Sequence, residues 1–188
     1  MRKLIVCNII SLDGYFSGPG DDVMAMPFDA GFSEYNAERL RAASTLLMGR
    51  KTYDGFKVYW PPVAHDPKAP ELEREISRLN TAMEKVVVSD SPPDAEGWLN
   101  RRFVTRAAAH KEIAQLKASD GKDILVFGSH VLWNDLLAAG LVDELHLIVG
   151  PGTIGGGVPA FTGRHRFRLL GTQTWPGTSL VLIRYGAS

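Results

Sequence analysis

The chain has 188 residues, of which 45% are hydrophobic and 22% charged, and this composition is typical of a globular protein with one domain. Its 21 basic residues equal its 21 acidic residues, which argues against a nucleic-acid-binding surface. The single cysteine excludes an intramolecular disulfide and a cysteine-rich zinc site, and no apolar stretch approaches the ~20 residues that span a membrane. The start, MRKLIVCNII, lacks a small-residue cleavage site, so we expect a first strand and a cytoplasmic protein.

The first half of the chain predicts strands that alternate with helices. KLIVCNIIS (3–11) is continuously apolar, as in a central strand buried on both faces, and it contains Cys7. Turn residues follow up to residue 22. The next elements are predicted from apolar spacing: a helix at 33–43 with Ser33 as N-cap, a strand at 44–49, a short helix at 50–56, a proline-rich surface loop at 58–70 and a helix at 71–82.

The second half continues this alternation and then changes. Its predicted elements, in order, are strands at 85–90 and 101–105, a helix at 107–119, a strand at 122–128, a helix at 129–140 and a strand at 142–151. Two segments of strand composition follow a glycine-rich loop, at 165–175 and 177–186. We therefore predict a single α/β domain: a three-layer, doubly wound, mostly parallel sheet with a C-terminal antiparallel hairpin.

The stretch GPGTIGG (150–156) has the spacing of a dinucleotide-binding turn. In such a turn the last glycine opens a helix, and the pyrophosphate is bound by free N–H groups at the start of that helix. Here GGVPAF follows, in which Pro159 and the glycines oppose a helix. No acidic residue lies about 20 residues further on. We interpret the segment as a loop after a strand, with glycines that let backbone approach a ligand.

Two other strand ends are better suited to bind a phosphate. In LLMGRKTY (46–53) a strand ends at Gly49, and two cations and a hydroxyl stand at the start of the next helix. In LVFGSHVLW (125–133) a helix begins directly after Gly128, so its first N–H groups are unpaired. A solvated basic helix start and a tight turn capped by Ser129 are the alternatives. A third strand end offers Ser89 as a donor to phosphate or ribose.

These stretches, in this order and spacing, resemble the dihydrofolate-reductase-like superfamily. The resembling segments are SLDGYFSG (11–18), LLMGRKTYDGF, KVVVSD, ILVFGSHVLWNDLLAAGLVDELHLIVGPGTIGGGVPAF and the final strand pair, which cover nearly the whole chain. Within the superfamily the closest similarity is to the reductase domain of riboflavin-biosynthesis deaminase-reductases. The resemblance implies an NADPH-dependent oxidoreductase that transfers hydride to a pterin, a pyrimidine or a similar heterocycle. It also suggests a homodimer.

The resemblance also implies roles for particular residues. The cofactor phosphates and the adenosine would be bound by Gly49, Arg50, Lys51, Thr52, Ser89, Gly128, Ser129, His130, Val131 and Leu132, with a cis peptide between Gly128 and Ser129. The substrate side would contain Asn8, Ile9, Tyr35, Phe127 and Gly155.

The sequence departs from this family at the catalytic acid. Dihydrofolate reductases carry an acid in the helix before the GR-T turn, and the matching position here is about Ser33, between Asp29 and Glu34. Asp13 is our first candidate for an acid near the site and Glu34 the second. Asp90, next to Ser89, would repel a 2′-phosphate if it pointed inward. A nucleotide-binding module without turnover is the alternative function, and a true dihydrofolate reductase with a displaced acid is a third.

The histidines and one basic stretch are further candidates for binding. The five histidines are scattered without metal-ligand spacing, so no metal site is predicted. The deaminase zinc motif of the riboflavin enzymes is also absent, so the chain could perform only the reduction. The basic stretch GRHRFR (163–168) is either a solvated strand start or a grip on a substrate phosphate.

Overall fold

An eight-stranded sheet forms the centre of the protein. The computed structural model describes residues 1–91 and 97–187. The strands of the sheet, in spatial order, are β5 (Arg101–Val104), β4 (Glu84–Val88), β3 (Ala43–Gly49), β6 (Asp123–Val126), β1 (Leu4–Ile10), β7 (Glu144–Val149), β10 (Val181–Ala187) and β9 (Phe167–Thr174). The first six are parallel, and β10 and β9 are antiparallel to their neighbours. The predicted mixed sheet with a C-terminal antiparallel pair is confirmed.

Helices cover both faces of this sheet. The described helices are α1 (Ala30–Ala42), α2 (Arg50–Val63), α3 (Glu71–Ala82), α4 (Arg106–Ala118) and α5 (His130–Ala138). Buried side chains of α1, α2 and α3 share one core cluster with β1 and β3, whereas those of α4 and α5 belong to a second cluster on the other face. All seven residues of β1 are buried, as expected for a strand covered on both sides.

Two predictions about helix boundaries are wrong. Helix α1 begins at Ala30, because the Asp29 carboxylate accepts hydrogen bonds from the N–H groups of Gly31 (2.9 Å) and Phe32 (3.4 Å) and so caps the helix. Ser33, the predicted N-cap, lies inside the helix and donates to Glu73 of α3 instead.

The predicted surface loop at 58–70 is helical in its first part. Helix α2 continues through Pro61 and Pro62 to Val63. Proline removes a backbone donor, but near a helix end few bonds are lost. Trp60 packs against the core, and its carbonyl accepts a hydrogen bond from Ser77 of α3. This tertiary packing outweighs the local preference of the prolines.

A small lobe stands on the carboxyl edge of the sheet, beyond β1 and β7. It consists of residues 11–28 and 150–160, and it contains two short paired strands, β2 (Tyr15–Ser17) and β8 (Val158–Pro159). Backbone bonds join its two segments, from Leu12 N–H to the Gly152 carbonyl (2.8 Å) and from Ala160 N–H to the Gly14 carbonyl (2.9 Å). No helix follows the GPGTIGG stretch, so it does not form a dinucleotide-binding turn.

Gly157 shows why this stretch is rich in glycine. Its φ is +126°, and a Cβ atom there would lie 2.1 Å from the Ser17 carbonyl oxygen. Only glycine fits this close backbone approach. The glycine therefore packs the two segments of the lobe against each other.

Candidate active site

The two strand ends predicted to bind phosphate form one continuous surface. Strands β3 and β6 are neighbours, so Gly49 at the end of β3 and Gly128 just after β6 lie on the same carboxyl edge. The Gly49 N–H donates to Ser129 Oγ at 3.0 Å, and the Ser129 N–H donates to Thr52 Oγ1 at 2.9 Å. These reciprocal bonds fix the start of α2 against the start of α5.

Asn8 of β1 holds the turn after β6 from the other side. Its Oδ1 accepts from the Gly128 N–H at 2.7 Å, and its Nδ2 donates to the Gly128 carbonyl at 3.3 Å. Both Gly128 (φ +56°) and Ser129 (φ +54°) have left-handed backbone, a conformation that is strained for serine. The predicted cis peptide between them is wrong, because the described residues contain none. The left-handed pair makes the tight turn instead.

The helix starts at this surface lack a carboxylate. Helix α1 is capped by Asp29, α3 has Glu71 and Glu73 in its first turn, and the Asp90 carboxylate accepts from the first N–H of α4 at 2.9 Å. Among the described α-helices, only α2 and α5 have neither a carboxylate bonded to a first-turn N–H nor an acid in the first turn. Their positive ends therefore stay available to an anion from outside the chain.

The predicted cofactor residues at the α5 start differ in exposure. The Val131 side chain is 78% exposed, so the first turn of α5 is open to a ligand. The His130 ring packs on Phe16 of the lobe and bonds the Pro159 carbonyl at 2.8 Å. Leu132 is buried in the core and can contribute through its backbone. The structure thus brings these three residues together with Gly49, Thr52, Gly128 and Ser129.

The two cations of the GRKT stretch lie at the rim of the surface. The Arg50 guanidinium donates to Asp54 Oδ2 at 2.8 Å and lies 6.0 Å from the ring centroid of Phe103. The Lys51 ammonium is exposed and forms an ion pair with Asp21 of the lobe. Lys51 and the Ser17 hydroxyl hold the pKa of the Asp21 carboxyl below its usual range. Both cations are thus placed for contact with an anion and have carboxylate partners in its absence.

The end of β4 supplies Ser89, as predicted, and a cation that the sequence did not reveal. Ser89 is buried, and its Oγ accepts from the Ser91 N–H at 3.1 Å. Asp90 points away toward α4, where its carboxylate meets both the backbone and the side chain of Arg106 (Nε to Oδ2, 3.6 Å). The exposed Arg106 therefore offsets the charge of Asp90 that would oppose a 2′-phosphate. No sequence motif marked it.

The two candidate acids occupy different environments. The Asp13 carboxylate accepts from the Ser11 hydroxyl (2.6 Å) and from the N–H groups of Gly155 (2.8 Å) and Ile154 (3.2 Å). These bonds, led by Ser11, lower its pKa, so Asp13 is ionised at neutral pH and suits structural support of the lobe better than proton donation. Glu34 is exposed on α1. Their catalytic roles stay predictions.

The predicted substrate residues do not all reach the same surface. Gly155 lies in the lobe and Ile9 near the end of β1, whereas Phe127 directly follows β6. Tyr35 is buried in the core, and its hydroxyl lies 2.9 Å from His146 Nδ1. Burial raises the pKa of this phenol. Tyr35 is thus held within the core, and its role as a substrate residue stays a prediction.

The GRHRFR stretch lies at the opposite end of the sheet. Phe167 begins β9 and pairs with Ala187, and the adjacent Gly186 pairs with Glu144 at the start of β7. The amino ends of the parallel strands are therefore next to this basic stretch. Because the candidate site is at the carboxyl ends, the arrangement favours a solvated strand start over a grip on the substrate.

The sheet order and the carboxyl-edge surface define a dihydrofolate-reductase-like protein. The sequence profile of the RibD C-terminal domain matches residues 2–178, and the chain belongs to this family. An uncharacterized protein of Bacillus subtilis, YyaP, is 29% identical over 98% of this chain and 94% of its own length. Family membership supports a reductase-like function.

Solved structures show the same fold at low sequence identity. A deaminase/5-amino-6-(5-phosphoribosylamino)uracil reductase from Thermotoga maritima matches all of this chain and 57% of its own (TM-score 0.69, 13% identity). A dihydrofolate reductase from Enterococcus faecalis, solved with NADP(H), matches 99% of this chain and 96% of its own (TM-score 0.61, 13% identity). Within the described residues, no helix has the length and apolar character needed to cross a bilayer.

Proposed function

We propose that this protein is an NADPH-dependent reductase that transfers hydride to a heterocyclic small molecule. The observation that carries the proposal is the surface at the ends of β3 and β6, where two helix starts without carboxylates are bonded together. A dinucleotide has two phosphate groups in its pyrophosphate and, in NADPH, a third on the adenosine ribose. The α5 start suits the pyrophosphate, while Arg50, Ser89 and Arg106 suit the 2′-phosphate.

The chemistry of the proposal divides between cofactor and protein. Bound NADPH supplies the hydride. Reduction of a C=N bond of the substrate would add that hydride at carbon and a proton at nitrogen, with NADP⁺ as the other product. The residues of the chain orient both partners and exclude water. Since Asp13 is ionised, we expect the proton to come from an ordered water.

The experiment is a calorimetric titration of NADPH and NADH into the wild type and Arg50→Ala. We expect NADPH to bind more tightly than NADH, and the variant to lose most of this preference. Arg164→Ala is the matched control, because this exposed arginine lies in the basic stretch near the amino edge. Failure of both nucleotides to bind the wild type would overturn the proposal.

A second assay separates the remaining functions. The oxidation of NADPH is followed by its near-ultraviolet absorbance across a panel of pterins and pyrimidines. Turnover of any of them supports the reductase. Tight nucleotide binding without turnover across the panel supports the nucleotide-binding module instead, and tight methotrexate binding supports a true dihydrofolate reductase. The homodimer stays a prediction.

A further inference from the structure

The surface beside the proposed cofactor site is built from segments without cations. Beyond the ends of β3, β4 and β6, the carboxyl edge comprises the ends of β1 and β7, the lobe, and the start of α1. A substrate that receives hydride must bind there, next to the cofactor.

From Leu4 to Glu38 the chain contains no lysine, arginine or histidine. Five of this segment's carboxylates lie in the lobe or in the first turns of α1: Asp13, Asp21, Asp22, Asp29 and Glu34. The sixth, Glu38, lies further along α1 and forms an ion pair with Arg39. The other contributing segment, 147–163, contains no charged residue. Lys51, which reaches the lobe from α2, is already paired with Asp21. The local charge on this side is therefore negative.

Several of these carboxylates accept hydrogen bonds from neutral groups. Asp13 has a lowered pKa, and Asp29 and Asp22 accept backbone N–H bonds at the starts of helical turns. Hydrogen bonds from neutral N–H groups stabilise a carboxylate without removing its charge. An anionic ligand would thus approach several negative charges, and the cation that reaches the lobe, Lys51, is paired with one of them.

Exposed apolar side chains lie in the same segment as these carboxylates. Leu12 (61% exposed) and Met24 (74% exposed) project from the lobe, and Phe28 packs edge-on against Phe32 at the start of α1. Exposed apolar groups clustered near a binding surface favour a planar ligand ring that carries few polar substituents.

The other basic groups stand elsewhere. Arg164 and Arg166 precede β9 near the amino edge, and Arg101 begins β5 at the same edge. Lys57 points to the Tyr53 ring and to Asp54 on its own helix. These four basic groups therefore do not offset the carboxylates of the lobe, which leaves Lys51 as their partner.

We infer that the substrate is a planar heterocycle that is neutral or cationic and carries no phosphate. The inference rests on the proposed reductase function and narrows its substrate class. A phosphoribosyl group brings a charge of about −1.5 to −2 and is disfavoured beside these carboxylates. The substrate class therefore differs from the phosphoribosylaminouracil for which the Thermotoga maritima enzyme is named.

The test compares matched pairs of ribosylated aminopyrimidines with and without a 5′-phosphate. Binding of each to the NADP⁺-saturated protein is measured by calorimetry, and its reduction by NADPH oxidation. We expect at least tenfold tighter binding of the unphosphorylated member, and a smaller ratio at high salt, because salt screens exposed charges. Equal or tighter binding of the phosphorylated member would overturn the inference. Failure of both members of every pair to bind would overturn the inference too, while NADPH-dependent reduction of another heterocycle in the panel would leave the proposed function intact.

A charge reversal tests the cause of the preference. Asp22→Lys places a cation in the lobe and should lower the ratio severalfold in favour of the phosphorylated ligand. Asp120→Lys, an exposed site beyond α4 and before β6, makes the same charge change at the opposite edge and should leave the ratio unaltered. Equal effects of the two variants would show that net charge alone sets the ratio, and would overturn the assignment to the lobe.

Discussion

The bond between Thr52 and Ser129 gives the sharpest test of how the cofactor surface is held. The substitution Thr52→Val removes the hydroxyl that accepts the Ser129 N–H at 2.9 Å and keeps the shape of the side chain. A Cβ on Gly128 would lie 3.2 Å from Thr52 Cγ2, so packing at this point is tight and valine preserves it. The perturbation is therefore the loss of one hydrogen bond.

The expected loss of stability in Thr52→Val follows from the exposure and the backbone strain of Ser129. An unsatisfied buried N–H costs ~1–3 kcal/mol, and the half-buried Ser129 belongs at the lower end because water can replace the lost acceptor. A loss of about 1 kcal/mol lowers Tm by roughly 2–4 °C in a chain of this size. Ser129 also has a left-handed backbone that costs roughly 1 kcal/mol or more, so the freed turn relaxes. We expect NADPH binding to weaken about tenfold, which is about 1.4 kcal/mol.

The assay combines thermal unfolding with NADPH titration on three variants. Thr52→Ser keeps the hydroxyl and should bind NADPH like the wild type. Thr45→Val removes a hydroxyl that bonds Arg2 (2.6 Å) and Glu84 (2.9 Å) at the other end of β3, so it should lower Tm without weakening NADPH binding. If Thr52→Val keeps both the Tm and the NADPH affinity of the wild type, this hydrogen bond does not hold the turn.

Three buried groups give further predictions. Burial raises the pKa of the Cys7 thiol to about 12, so it should react with a thiol reagent only after unfolding, and fast labelling of the folded protein would contradict this. Burial lowers the pKa of His146 below its ordinary 6.5, so the free energy of unfolding should fall as the pH drops below 6.5. In urea unfolding, His146→Gln should weaken this pH dependence. An unchanged dependence of stability on pH in the variant would contradict the prediction. Burial lowers the pKa of Lys85 from 10.5 to about 8, so the unfolded state holds the extra proton between these values. The wild type should therefore gain stability over Lys85→Met as the pH rises from 8 to 10.5, and a constant difference would refute this.

The sequence was sufficient to predict the order of the α-helices and of the strands in the large sheet. It did not predict the short strands β2 and β8, which lie in segments predicted as turn and loop. The apolar runs of β1, β3 and β6 have the length of buried strands, and turn residues or glycines follow them. The observed bounds lie within a few residues of the predicted ones. The predicted helix boundaries are wrong where a contact between residues distant in sequence decides where the helix ends. Trp60 extends α2 because Ser77 and the core stabilise it, and no local pattern shows this.

The sequence predicted which strand ends contribute to the candidate site, but not the hydrogen bonds that join them. Gly49 and Gly128 could be marked as anion sites because each ends a strand and precedes a helix. Their mutual bonds through Thr52 and Ser129 join residues about 80 positions apart, which spacing alone cannot reveal. The hydrogen-bond distance between the Tyr35 hydroxyl and the buried His146 joins residues 111 positions apart, so it could not be predicted from the sequence either.

The position of β10 sets the order in which the molecule can be completed. This strand, Val181–Ala187, is inserted between β7 and β9, although it is made after both. During synthesis β7 therefore leaves the ribosome with an open edge, and β9 emerges with no strand beside it. Only when Ala187 has emerged can the sheet close by pairing of residues that include Val181 with Val149. A nascent chain stalled before that point would present a bare strand edge to chaperones and to other copies of itself.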